Sequence, residues 1–178
     1  MTQTRSFRGQ AGIMSGELAG LTRTSTDPDI RTAIETAMQT RSMPGFSRHH
    51  WGTDIDILSA TRTDWIGTGR LVPVIPFLET EAGRFGFFHP YASAGPSSSG
   101  FPTPTSPHYL DEPWHMSYFP LANVLQREWA RRITGTVLDG LITRTAAAVR
   151  GAVPQATMER VLRSMNLTSF QTNVAPPP

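Results

Sequence analysis

Apolar residues recur at helical spacing in four parts of the chain. Within residues 4–21, Ile13, Met14, Leu18 and Leu21 fall near a 3.6-residue period, and the glycines among them predict a short helix rather than a long one. Over 29–40, Ile30, Ala33, Ile34 and Ala37 share one face, with Asp27 or Asp29 placed to cap it before SMPGF breaks the pattern. From 121 to 150 a long apolar stripe runs through Leu121, Val124, Leu125, Trp129, Ile133, Val137, Leu138, Leu141 and Ile142, with Gly135 and Gly140 as points where it can split in two. A last helix is predicted from Pro154 to about Met165, followed by an extended TNVAPPP tail.

Other segments alternate instead. Asp54, Ile55, Asp56 and Ile57 read as a strand with both carboxylates on one face, and HMSYF at 115–119 sets His115, Ser117 and Phe119 against Met116 and Tyr118. Pro76 can open a helix into FLETEAGRFGF, whose end, Phe85 to Phe88, reads as a buried strand. Helices and short strands follow one another without a βαβ rhythm or an internal repeat, which predicts an α+β fold: a small antiparallel sheet flanked by helices, with further helices at the C-terminal end. Between His89 and Pro107 the sequence becomes HPYASAGPSSSGFPTPTSP, a long loop of the kind that is usually functional or disordered.

Composition narrows the chemistry. At 178 residues the chain fits one domain with a real core. No apolar run approaches the roughly 18 residues of a membrane helix, and MTQTRSFRGQ has no apolar signal-peptide region. The absence of cysteine excludes disulfides, thiolate metal sites and cysteine nucleophiles, so a metal here must be held by N and O. All 16 basic residues are arginine, which removes Schiff-base and P-loop lysine chemistry. Residues 1–120 carry nine Arg against eleven Asp and Glu, and residues 121–178 seven against three, so the C-terminal part is the basic one. With a formal net charge of +2 and no basic aromatic platform, nucleic-acid binding is not suggested.

Two clusters are rich in possible ligands. Ser47, His49, His50, Asp54 and Asp56 stand before the loop, and Glu112 and His115 stand after it. Two imidazoles and a carboxylate form a common open set for catalytic zinc. His49 and Asp56 are seven residues apart, which would put them on opposite faces of an unbroken strand, so Gly52 is the expected turn or bulge that lets them converge. Pro113 keeps Glu112 and His115 out of an ordinary paired strand and predicts a tight turn aiming both into one pocket. A carboxylate that does not bind the metal can then move a proton between water and a leaving amine, and Glu112 is the candidate. Spacing alone is equally compatible with solvent-facing His and Asp residues in a loop-rich, metal-free domain.

The motifs are more specific in combination. Ser47, His49, Gly52 and Asp56 reproduce S-x-H-x-x-G-x-x-x-D, and Glu112 to His115 reproduce E-P-W-H, which together resemble the VanY-like zinc D-alanyl-D-alanine carboxypeptidases. TRSFRGQAGIM at 4–14 is similar to that family's R-S-[YF]-x-x-Q segment, and FLETEAGRFGF at 77–87 to its helix before a G-F strand, so the resemblance covers about residues 4–120. It implies a Hedgehog/DD-peptidase type α+β fold and hydrolysis of the terminal D-Ala-D-Ala bond of peptidoglycan stem peptides. Carried over by position, His49, Asp56 and His115 would bind Zn2+ and Glu112 would be the general base and acid. Arg5 would stabilise the oxyanion, and Ser47 and Gln10 would touch substrate. Trp114 would pack beside the metal or serve as ordinary core.

The resemblance further implies a peptidase core at 1–120, with 121–178 as a helical extension packed on it, and residence in the periplasm or cell envelope. It also leads us to expect a strand ahead of Arg5, where four residues stand. The family often has a small apolar residue where this chain has Asp54, which leaves three roles open: binding substrate, bracing a ligand, or facing water. His50 is expected to point away from the site, His89 and His108 to be solvated loop residues, and Arg41 and Arg48 to be surface charges unless one meets a substrate carboxylate. Alternative activities are L,D-carboxypeptidase, D-Ala-D-Ala dipeptidase, or a zinc-fold binding module without turnover. Retention of Glu112 and Arg5 argues against the last.

Overall fold

The structure, a computed structural model, describes residues 6–91, 112–165 and 167. Arg5, His108, the tail and most of the 89–110 loop lie outside the described residues. Helix α1 (Phe7–Glu17) starts at Ser6, whose hydroxyl accepts from Gly9 N, and it is short as the glycines predict. Helix α2 (Asp27–Met38) starts earlier than either aspartate reading allows. Thr26 is the cap, Asp29 returns the bond to the Thr26 backbone N–H, and Pro28 sits in the first turn. This reciprocal arrangement satisfies two otherwise orphaned donors, so Asp29 acts from inside the helix rather than as its cap.

Among the described residues three strands form an antiparallel sheet in the order β1 (Asp54–Asp56), β3 (His115–Tyr118), β2 (Phe87–Phe88). Asp54 pairs with Ser117, Ile55 with Met116, and Asp56 with His115, while Phe87 and Phe88 pair with Tyr118 and Ser117. Because facing residues share a side of the sheet, Asp54, Asp56, His115, Ser117 and Phe88 occupy one face, and Ile55, Met116 and Phe87 the other. The α+β class and the one-faced carboxylates agree with the alternation in sequence. Phe85 does not join the strand: it ends a 3₁₀ turn at Ala82–Phe85 after α3 (Ile75–Glu81) and is 69% exposed.

Among the described residues the remaining α-helices are α4 (Phe119–Arg132), α5 (Gly135–Val149) and α6 (Gln155–Ser164). The break falls at Ile133 and Thr134, whereas Gly140 is inside α5. The apolar stripe of 121–142 is only partly buried. Leu121, Val124, Leu125 and Val137 are exposed, because α4 turns Ala122 inward and packs Trp129 edge-on against Phe46 at 6.0 Å. The main core joins Met14 and Leu18 of α1, Ile30, Ile34 and Met38 of α2, Ile142, Ala146 and Val149 of α5, and Met158, Val161 and Leu162 of α6.

A second, smaller core matters for the site. Trp65, Leu71 and Trp114 pack together, and Trp65 donates its indole N–H to the Ser59 carbonyl at 2.6 Å. This buttresses the backbone immediately before His115. Gly69 lets the supporting loop close, since a Cβ there would lie 2.4 Å from the carbonyl oxygens of Thr63 and Asp64. Backbone atoms cannot yield as a side-chain tip can. Gly69→Ala is therefore expected to destabilise the protein by about 1–3 kcal/mol, read as a lower urea midpoint.

Candidate metal centre

Ser47 caps a single 3₁₀ turn, Arg48–Trp51, by accepting from His49 N at 3.3 Å. Gly52 ends it in the left-handed region at φ 74°, a conformation that costs glycine little, and the chain then enters β1. That reversal brings His49 to the side of the sheet that carries Asp56, as the odd spacing required. On the neighbouring strand His115 lies directly opposite Asp56. Glu112 joins them through the turn expected around Pro113, closed by His115 N donating to Glu112 O at 3.0 Å and anchored by Glu112 N donating to Tyr91 O at 2.9 Å.

His49 Nε2 and His115 Nδ1 lie 3.4 and 3.5 Å from Asp56 Oδ1. One donor atom from each of the three residues falls within 4.8 Å of the other two. Zinc bonds of about 2.0–2.1 Å to N and O give tetrahedral edges of about 3.3–3.4 Å, so both N–O separations suit one ion held between them. The donor set, two imidazoles and a carboxylate, is also one that zinc accepts while keeping a further position open. Glu112 Oε2 stands 3.4 Å from His115 Nδ1 on the rim of the same point.

Burial opposes charge on His115, but hydrogen bonds and charge from Asp54 and Glu112 outweigh it and push the imidazole up to about 9. A divalent cation would compete for Nδ1 with a proton favoured by the same carboxylates. For Asp54, burial is again the largest influence and raises the pKa. The Arg48 charge and the contacts with His115 overcome it together and hold the carboxyl well below the usual carboxylate range.

The three candidate ligands and Glu112 line a pocket together with Gln10, Ser47, Arg41, Tyr91 and Trp114. Gln10 Nε2 reaches Ser47 Oγ at 3.4 Å, while its buried Oε1 finds no hydrogen-bond partner among the described residues. Arg41 stays at the pocket edge, 3.4 Å from Glu17. Other expectations are revised. Arg48 is not a surface charge: it is fully buried and bonded to Asp54 at 2.8 Å, since the sheet and α4 close over it. Asp54 is fully buried as well, which removes the solvent-facing reading. His89 is 8% exposed rather than a solvated loop residue. His50, by contrast, turns away as expected and accepts from Gly45 N at 3.2 Å. Tyr91, whose ring stands edge-on to His115 at 4.8 Å, carried no signal in the sequence.

The class these features define is an α+β protein with a candidate metal centre on one face of a small sheet. A family model described as VanY, D-alanyl-D-alanine carboxypeptidase, matches residues 2–121, and the chain belongs to this family. Membership supports a function of the D-Ala-D-Ala carboxypeptidase type. The chain is also similar to a Haemophilus influenzae protein described as uncharacterized, 28% identical over 92 residues, covering 49% of this chain and 68% of that protein. No solved structure matches. Among the described residues, no helix is long and apolar enough to cross a membrane.

Proposed function

We propose that this protein is a zinc-dependent carboxypeptidase that removes the terminal D-alanine from peptidoglycan stem peptides in the periplasm or cell envelope. The observation that carries this reading is the meeting of His49 Nε2, Asp56 Oδ1 and His115 Nδ1 beside the Glu112 carboxylate, in a chain of the VanY family. His49, Asp56 and His115 would hold the ion. When bound, zinc lowers the pKa of a water toward about 7 and polarises a carbonyl.

Glu112 takes the proton of the attacking water and returns it to the departing amine of the terminal D-alanine as the C–N bond breaks. Its place on the rim allows both transfers from one carboxylate. The free Gln10 amide oxygen can accept from a substrate N–H, and Ser47, bonded to Gln10, can present its hydroxyl beside it. Arg5, assigned by family resemblance, would meet the carbonyl oxygen as negative charge builds on it. Helices α4 to α6, in this reading, pack on the peptidase core, α5 and α6 against α1 and α2.

The test is product analysis by mass spectrometry, with pentapeptide and tetrapeptide muropeptides in the presence and absence of a chelator. Loss of one D-alanine from the pentapeptide, abolished by chelation and restored by zinc, is expected. Release from the tetrapeptide alone would reassign the bond to L,D specificity, and zinc binding without product from either would favour a binding module. Chelation is also expected to lower the melting temperature, since an ion present at 100 times its dissociation constant stabilises the folded state by about 2.7 kcal/mol. An unchanged melting curve in protein carrying no zinc would overturn the metal assignment.

A further inference from the structure

Arg48 and Asp54 form a fully buried ion pair that none of the steps above uses. Asp54 Oδ1 accepts from Arg48 Nε at 2.8 Å and faces His115 Nε2 at 2.9 Å, while Oδ2 accepts from the Thr53 hydroxyl at 2.7 Å. The backbone carbonyl of the same residue faces His49 Nδ1 at 3.2 Å. One residue thus meets the outer nitrogen of both imidazoles. A carboxylate paired with arginine and a peptide carbonyl can only accept hydrogen bonds, so both outer nitrogens must carry the hydrogen. In the neutral rings the inner nitrogens, His115 Nδ1 and His49 Nε2, then hold the lone pairs, on the side of Asp56.

The carboxylate is itself immobilised. Arg48 Nη2 donates to Ser117 Oγ at 2.7 Å on β3, and Nη1 to Gln126 Oε1 at 3.1 Å on α4. The guanidinium lies 4.8 Å from the centre of the Trp51 ring. A buried ion pair is a poor way to gain stability alone, because apolar residues of similar volume often serve as well or better. Its value here lies in direction: the fork of Arg48 aims one carboxylate at a histidine ligand.

We propose that Asp54 is a positioning residue for the metal centre, setting the tautomer and orientation of His49 and His115, and that Arg48 anchors it to β3 and α4. This rests on the zinc reading above. It goes further by assigning the site's supporting shell to a position where the family resemblance leads us to expect a small apolar residue. Outer partners of histidine ligands typically contribute 10- to 100-fold in metal affinity, and a loss of about that size is expected here.

The experiment compares the parent with Asp54→Ala, Asp54→Asn and the double variant Arg48→Met/Asp54→Ala. It measures zinc affinity by competition with a chromophoric chelator, the absorption spectrum of the cobalt(II)-loaded protein, and the melting temperature. Asp54→Ala is expected to weaken zinc binding by about 10- to 100-fold and to shift the cobalt bands. Asp54→Asn keeps an acceptor oxygen for His115 and should recover part of the affinity. The double variant removes both buried charges, so it should regain melting temperature while zinc binding stays weak. It also keeps the test decisive if Asp54→Ala alone does not fold. Parent-like zinc affinity in Asp54→Ala, or recovery of affinity together with stability in the double variant, would reduce the pair to packing and overturn the proposal. A parent that binds no zinc would overturn the zinc reading and this proposal together, whereas a zinc-binding parent with unaffected variants would overturn only this one.

Discussion

Glu112→Gln is expected to retain zinc and lose hydrolysis, with the rate falling by about 10² to 10⁴. The substitution preserves the side chain's shape and its backbone turn, in which Glu112 N donates to Tyr91 O and Glu112 O accepts from His115 N. It removes the capacity to take up a proton together with the negative charge that faces His115. Since His49, Asp56 and His115 are untouched, zinc content measured by atomic emission should match the parent. The defect should appear in kcat and in kcat/KM alike, as for an interaction made only in the transition state. Full activity in the variant would remove Glu112 from the mechanism. A parallel loss of zinc would instead make it a ligand, which its 3.4 Å separation from His115 Nδ1 makes a sharp alternative to test.

The largest stability effect is expected from Arg48→Met, at about 3–5 kcal/mol. The arginine has no exposed surface, and it offers one donor to Asp54, one to Ser117 and one to Gln126. Methionine roughly fills the space but leaves the Asp54 carboxylate buried beside an uncompensated cavity of acceptors. The cost is thus dominated by the stranded charge rather than by lost packing. Urea denaturation of the variant should show a lower midpoint with an unchanged slope, the sign of a change in stability rather than in compactness. A variant as stable as the parent would mean that Asp54 finds another partner or takes up a proton at little cost.

That arginine also shows where reading along the chain ends. An isolated Arg beside a histidine has no periodic signature, and arginine is rarely buried without a partner. Its partner is six residues on, across a 3₁₀ turn and the left-handed Gly52. Its hydrogen bonds to Ser117 and Gln126 span 69 and 78 residues. Nothing local predicts such a set. The same holds for Tyr91, which reaches the site because its carbonyl accepts from Glu112 N and its ring meets His115. The exposed Leu121, Val124 and Leu125 err in the opposite direction, since a helical period identifies an apolar face but not whether anything lies against it.

What the sequence determined by itself was local and periodic: α+β class, the helical stretches, the two carboxylates on one face of β1, and the need for a reversal at Gly52 between His49 and Asp56. Those follow from side-chain geometry within a few residues, where backbone sterics and spacing decide direction. The motif pair also named the family from residue identities alone. Only the tertiary structure decided that Asp56 stands opposite His115, that Glu112 meets them from a turn, and that Asp54 is buried against Arg48 instead of facing water. Strand register, and the closure of α4 over the sheet, depend on contacts between segments distant in sequence. A single chain read in order cannot rank those contacts, because their energies arise from desolvation and direction once the segments have met.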